Sequence, residues 1–104
     1  MDPPISRSDF FVTLTIRVRS VFVSRMKVIL NDLTVESRKD PGCILYIAAE
    51  SAETPGLFLM ASVWRDKESY EAHRSSPYVR AFESQIGPEV VRGSLSQKSW
   101  QRLG

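Results

Sequence analysis

A single cysteine, Cys43, cannot close a disulfide on its own chain, and alone it cannot build a thiolate metal site. Histidine is equally scarce: His73 is the only one, and the carboxylates are scattered without the spacing that metal ligation needs, so no metal is expected. Long apolar runs are missing too. The longest, near Phe10 to Ile16 and Leu57 to Val63, fall far short of the roughly 20 residues of a bilayer span. No basic stretch followed by a signal-type apolar segment opens the chain. No membrane partner is expected, and a reducing, cytoplasmic setting is. Charge of one sign is also lacking, since fourteen basic and twelve acidic residues leave a net +2 and are interleaved along the chain. Nucleic-acid binding needs basic residues gathered in a patch, so no nucleic acid is expected as partner.

What remains is a chain of 104 residues, 42% apolar, enough for one domain around one core. Met1 to Ser8, with Pro3 and Pro4, reads as a flexible N-terminal arm, and residues 9–104 as a single domain. Phe10, Val12, Leu14, Ile16 and Val18 alternate with Phe11, Thr13, Thr15 and Arg17, the period of a strand with one apolar face. Phe22, Met26, Ile29 and Leu33 then recur at helical steps behind Ser20 as N-cap, which predicts an amphipathic helix from Val21 to about Arg38, ended by Asp40-Pro41-Gly42. Cys43 to Glu50 and Leu57 to Arg65 read as a hairpin around Pro55-Gly56. Asp66 is placed to cap a helix over Lys67 to Arg74, and Ser76-Pro77 starts a second over Pro77 to Ile86, stopped by Gly87-Pro88. Glu89 to about Trp100 is expected to supply the last strand.

The order β-α-β-β-α-α-β is an α+β, ferredoxin-like unit with a four-stranded antiparallel sheet and a broken second helix. Helices cover one face of such a sheet, and the alternating strands leave the other partly apolar. A second copy of the chain is the economical cover for it, so a homodimer is expected.

The segment from Trp64 to His73 sets an indole, a phenol (Tyr70) and the only imidazole within ten residues, with Tyr70 and His73 on one helical face. His73 is the one side chain whose ordinary pKa suits a base near neutrality. It is equally well placed to cap the carbonyls at the end of its short helix. Met60 and Phe58 share the strand parity of Trp64 and could line one apolar wall with it. Trp64 serves equally as a core aromatic. Tyr46 and Tyr78 are further candidates for touching a ligand. Arg80 and Arg92 are placed as solvated arginines by default, and Cys43 as a buried structural thiol.

Three separated strings, Ser37 to Tyr46 (SRKDPGCILY), Trp64-Arg-Asp, and His73 to Phe82 (HRSSPYVRAF), resemble the antibiotic-biosynthesis-monooxygenase domain, including its quinol monooxygenase branch. The resemblance covers about residues 10 to 100. It implies a dimeric α/β barrel, a pocket between helices and sheet, and site roles for Trp64, Tyr70 and His73, with Phe82 among the substrate-binding positions. Met60 stands where members that oxidise aromatic polyketides carry asparagine, and Tyr78 to Ile86 lacks the histidine that the haem-degrading branch uses. The function implied is a cofactor-independent monooxygenase acting with O2 on a small electron-rich aromatic or quinol. Two alternatives stand beside it: an isomerase of a small phosphorylated dione of the autoinducer-processing type, which needs inward arginines, and a non-catalytic dimeric ligand-binding or stress-response module.

Overall fold

Alternating apolar residues become strands wherever predicted in the first two thirds of the chain. The computed structural model describes residues 9–103; the expected arm, Met1 to Ser8, lies outside the described residues. Strand β1 spans Phe10–Arg17, helix α1 Val23–Ser37, β2 Cys43–Glu50, β3 Leu57–Trp64, α2 Lys67–Arg74, α3 Pro77–Ile86 and β4 Ser96–Trp100, with short 3₁₀ turns at Ser20–Phe22 and Gly87–Glu89. The antiparallel sheet runs β2-β3-β1-β4, the ferredoxin-like arrangement.

The register decides which residues meet the helices. Val12, Ser62 and Tyr46 form one row across the sheet, and Leu14, Met60 and Ala48 the next. Because residues two apart share a face, these rows point the same way as Ile16, Phe58 and Trp64. Helices α1 and α3 cover them with Met26, Leu30, Leu33, Val79, Phe82 and Ile86, and this cluster is the core. The opposite face carries Leu45, Ile47, Leu59 and Trp100, each more than a third exposed.

At the start of β2 the ladder slips. Cys43 pairs with Trp64 but Leu45 pairs with Val63, so Ile44 is an extra residue, a β-bulge.

Two boundaries and one cap differ from expectation. Ser20 is not the N-cap of α1: the chain stays extended through Arg19, held by the Val18–Val90 bridge and by the Arg19 N–H donating to the Glu89 carbonyl, so it first tightens into a 3₁₀ turn and the helix begins at Val23. The last strand does not begin at Glu89. That residue closes a 3₁₀ turn and is buried against Arg25 at 3.0 Å, and only Ser96–Trp100 pair with β1. Ser76 occupies the cap position of α3, but its hydroxyl donates to the His73 carbonyl at 2.6 Å instead of capping. Asp66 does cap α2, accepting from the Ser69 N–H at 2.8 Å.

The turn between α1 and β2 is tightly built. Gly42 has φ +82°, and a Cβ there would fall on the Ser69 side chain, 2.6 Å from its Cβ, while the Gly42 carbonyl accepts from the Arg65 N–H. Gly42→Ala therefore combines left-handed strain with a steric clash and is expected to cost about 1–3 kcal/mol in urea unfolding. An unchanged midpoint would show that this turn is slack.

Candidate active site

Trp64 ends β3 fully buried, and the Asp66 cap two residues later starts α2 so that Tyr70 and His73 face the sheet. The His73 ring lies 4.6 Å from the Trp64 indole, 5.9 Å from the rings of Tyr46 and Tyr78, and 6.1 Å from Tyr70, centroid to centroid. Four aromatic rings from β2, β3, α2 and α3 thus surround one buried imidazole.

Its hydrogen bonds bear on its tautomer. Nδ1 lies 2.8 Å from Asp40 Oδ2 and 3.0 Å from Tyr78 Oη, and the Tyr78 hydroxyl donates to the same Asp40 oxygen at 2.6 Å. A carboxylate accepts only, so Nδ1 is the donor, and in the neutral ring the lone pair falls on Nε2. Among the described residues Nε2 has no hydrogen-bond partner. The ring caps no carbonyl of α2; that task falls to Ser76. Burial holds the His73 pKa below the ordinary imidazole value, and the hydrogen bond and charge of Asp40 only partly oppose it. The imidazole is therefore neutral, a competent base, at pH 7.

The phenols around it are kept protonated. Burial pushes Tyr46 up to about 12 and raises Tyr70 and Tyr78 above the ordinary phenol value. Cys43 is half-buried where the sequence predicts a buried thiol, and burial still lifts its pKa to about 11, which makes it a poor nucleophile.

Beside His73 lies a cavity of about 100 Å³ with Tyr46, Met60, Ser62, Tyr70, Val79 and Phe82 among its walls. At its rim Gln97 of β4 donates to the Tyr70 hydroxyl at 2.8 Å and accepts from Arg74 at 3.2 Å, while Arg74 pairs with Glu83 at 3.6 Å. This polar strap is part of the cavity lining.

Five of the eight candidates, His73, Tyr70, Tyr46, Met60 and Phe82, line this cavity. Trp64 stands behind the imidazole, not on the cavity wall. Tyr78 lies on the far side of His73 and faces a groove between α1 and α3. Phe58 lies elsewhere: it pairs with Ile16 and Glu50, two residues beyond Met60 from the site, and lines a separate hollow under α1 with Lys27 and Arg38. Arg80 and Arg92 are exposed. Two residues escaped sequence reasoning. Ser62 has the parity of Met60 and Trp64, a signal that could have found it. Asp40 is 33 residues from His73, and its place before Pro41-Gly42 signals only a helix stop. Among the described residues no group of three His, Cys, Asp or Glu side chains gathers where a metal ion could be held, and no helix is long and apolar enough to cross a membrane.

Solved structures with the same architecture include Rv0793 from Mycobacterium tuberculosis, 23% identical over 93% of this chain and 97% of that one, with a TM-score of 0.85. PA3566 from Pseudomonas aeruginosa is 20% identical over 98% and 100% of the two chains, with a TM-score of 0.85. A conserved protein from Methanosarcina mazei is 18% identical over 93% and 95%, with a TM-score of 0.86. At such identities the likeness speaks for the fold. A curated relative, the uncharacterized protein sll1783 of Synechocystis sp., is 37% identical over 46 residues, which is 44% of this chain and 31% of that protein, so the match spans under a third of its length. The model of the antibiotic biosynthesis monooxygenase family matches residues 9–85. That match takes in β1 through α3, and the chain belongs to the antibiotic biosynthesis monooxygenase family.

Proposed function

We propose that the protein is a cofactor-independent monooxygenase that oxidises a small electron-rich aromatic or quinol with O2. The observation that supports this reading is a buried, neutral imidazole with an unengaged nitrogen on the wall of a mostly apolar cavity. Dioxygen is a triplet and reacts slowly with closed-shell molecules, so without a cofactor the substrate itself must be the electron donor. His73 Nε2 removes a proton from an acidic ring-activated C–H or O–H, which leaves an electron-rich anion. The anion passes one electron to O2, and the radical pair couples to a C–O–O⁻ group that takes the proton back from the imidazolium. At a methylene carbon the hydroperoxide then loses water, so that CH₂ and O2 become C=O and H₂O. Tyr70, protonated and accepting from Gln97, keeps its own O–H to donate to the developing oxyanion.

The cavity is smaller than the few hundred Å³ that drug-sized ligands occupy, so a substrate of more than one ring requires the Arg74–Gln97–Tyr70 strap to part. Among the described residues Arg74 is the only arginine lining the cavity, and Glu83 and Gln97 already engage it, which counts against the isomerase reading. A fully packed interior would favour a non-catalytic module; the cavity beside His73 leaves room for a ligand instead.

Oxygen uptake with a panel of quinols and anthrone-like phenols, with and without chelator, tests the proposal. Uptake with at least one compound, unchanged by chelator, is expected. Uptake abolished by chelator overturns the cofactor-free mechanism, and no uptake with any compound overturns the oxygenase.

The outer sheet face, with Leu45, Ile47, Leu59 and Trp100, pairs with a second copy in this reading. Sedimentation at micromolar concentration should give twice the mass of one chain, and Ile47→Glu should halve it. A monomeric parent protein would rule out the pairing.

A further inference from the structure

We propose that Asp40 is the positioning residue of this site, fixing the tautomer of His73 so that its lone pair is presented to the cavity, with Tyr78 holding the Asp40 carboxylate in place. The inference deepens the reading of His73 as a base and rests on it.

His73 lies on the wall of two hollows. One is the cavity with Tyr46, Met60 and Phe82; the other is a separate cleft formed by Asp40, Pro41, Asp66, Glu68, Ser69 and Ala72. Asp40 lines only the second, so Nδ1 is turned toward the cleft. A single oxygen, Asp40 Oδ2, receives both the Nδ1–H and the Tyr78 O–H, and the three atoms lie within 3.0 Å of one another. The carboxylate is itself anchored. The Asp40 N–H donates to the Ser37 carbonyl, its carbonyl accepts from the Cys43 N–H, and Gly42 is pressed against Ser69 on the helix that carries His73. The turn thereby sets the distance between Asp40 and the imidazole.

Other groups facing His73 are Tyr46 from β2, Tyr70 and Arg74 from its own helix, and Glu83 from α3. Arg74 and Glu83 form an ion pair and largely cancel, which leaves Asp40 as the charge that decides the protonation of the ring. Without the carboxylate, the freed Tyr78 hydroxyl donates to Nδ1, and the ring proton moves to Nε2. The lone pair that would act as base is then covered by its own proton.

His73 is the only histidine in the sequence, so its ring signals in ¹⁵N NMR need no assignment in protein freed of any histidine tag. The expected spectrum of the parent protein has a protonated Nδ1 and a bare Nε2. In Asp40→Ala the pattern should invert, and kcat for the substrate found by oxygen uptake should fall at least about a hundredfold with KM within about twofold. Formate or acetate, entering by the open cleft, should restore both tautomer and rate in a concentration-dependent way. An unchanged tautomer in Asp40→Ala, or no response to formate, overturns the proposal. Tyr78→Phe gives an independent arm that leaves the turn intact: with one donor gone, the carboxylate attracts the imidazolium more strongly, and the His73 pKa should rise while Nδ1 stays protonated. An unmoved pKa there also overturns it. If the parent protein oxidises no quinol, the tautomer inversion still decides the role of Asp40, and only the monooxygenase reading falls.

Discussion

Replacing His73 by glutamine is expected to lower kcat/KM by about a hundredfold to ten-thousandfold, the usual worth of a positioned general base. Glutamine keeps most of the volume and a hydrogen bond to Asp40 but has no basic nitrogen, so the dimension being removed is chemistry, not packing. The sign of the pH dependence follows from burial. The folded-state pKa of His73 lies below its ordinary value of 6.5, so the imidazole stays neutral and active at pH 7, and the parent kcat/KM should hold level down to about 6.5 and decline only below it. An acid limb centred at or above 6.5, or a limb that persists in His73→Gln, would assign the base elsewhere. Stability moves in the same window. Below pH 6.5 the unfolded chain takes up the proton that the buried ring resists, so this contribution to stability is complete above 6.5 and is lost as the pH falls toward the folded value. Tyr46 and Tyr78 act at the opposite end. Their raised values leave them protonated in the fold when the unfolded phenols begin to ionise, so their share is lost above about pH 10.

Trp64→Ala should cost about 3–5 kcal/mol, a large fraction of the 5–15 kcal/mol that holds a typical domain together. The indole is fully buried between β3 and α2, packed on His73 at 4.6 Å and on Tyr70 at 5.9 Å, and nothing nearby can refill its space. Urea unfolding measures the loss directly. Trp64→Phe makes the informative companion. Among the described residues the Trp64 Nε1 has no hydrogen-bond partner, so phenylalanine gives up contacts yet also removes an unsatisfied buried donor. Its cost should stay below about 1.5 kcal/mol. If phenylalanine destabilises as much as alanine, the indole N–H has a partner that matters; if alanine leaves the midpoint unmoved, Trp64 does not hold the core.

How far the sequence can be read depends on whether the signal is local. In β1, the alternation from Phe10 to Ile16 is visible because one face is apolar along its whole length, and Asp66 reads as a cap because its partner, Ser69, is three residues away. The polar β4 gives no such signal. Its residues Ser96 to Lys98 are all exposed, and pairing with β1 alone makes the segment a strand. The same distinction runs through the site. Trp64, Tyr70 and His73 lie within ten residues, so helical spacing brings them together on paper. Asp40 meets His73 only because Gly42 lets the turn after α1 lie against α2, a tertiary contact that no local pattern encodes. Phe58 shows the converse: parity places it on the same face as Met60, but two residues further along the strand, where it lines a different hollow.

The bulge at Ile44 carries a consequence for how this protein can change over time. The surplus residue lets Cys43 and Tyr46, three apart in sequence, both sit opposite residues of the helix-covered face, Trp64 and Ser62, while Leu45 and Ile47 lie on the exposed face of the sheet. Deleting Ile44 would only restore a regular ladder, with Leu45 still opposite Val63 and Tyr46 still opposite Ser62. The loss of one residue at the start of β2 is therefore absorbed by the bulge, whereas the same loss beyond Tyr46 turns every following residue of the strand to the opposite face.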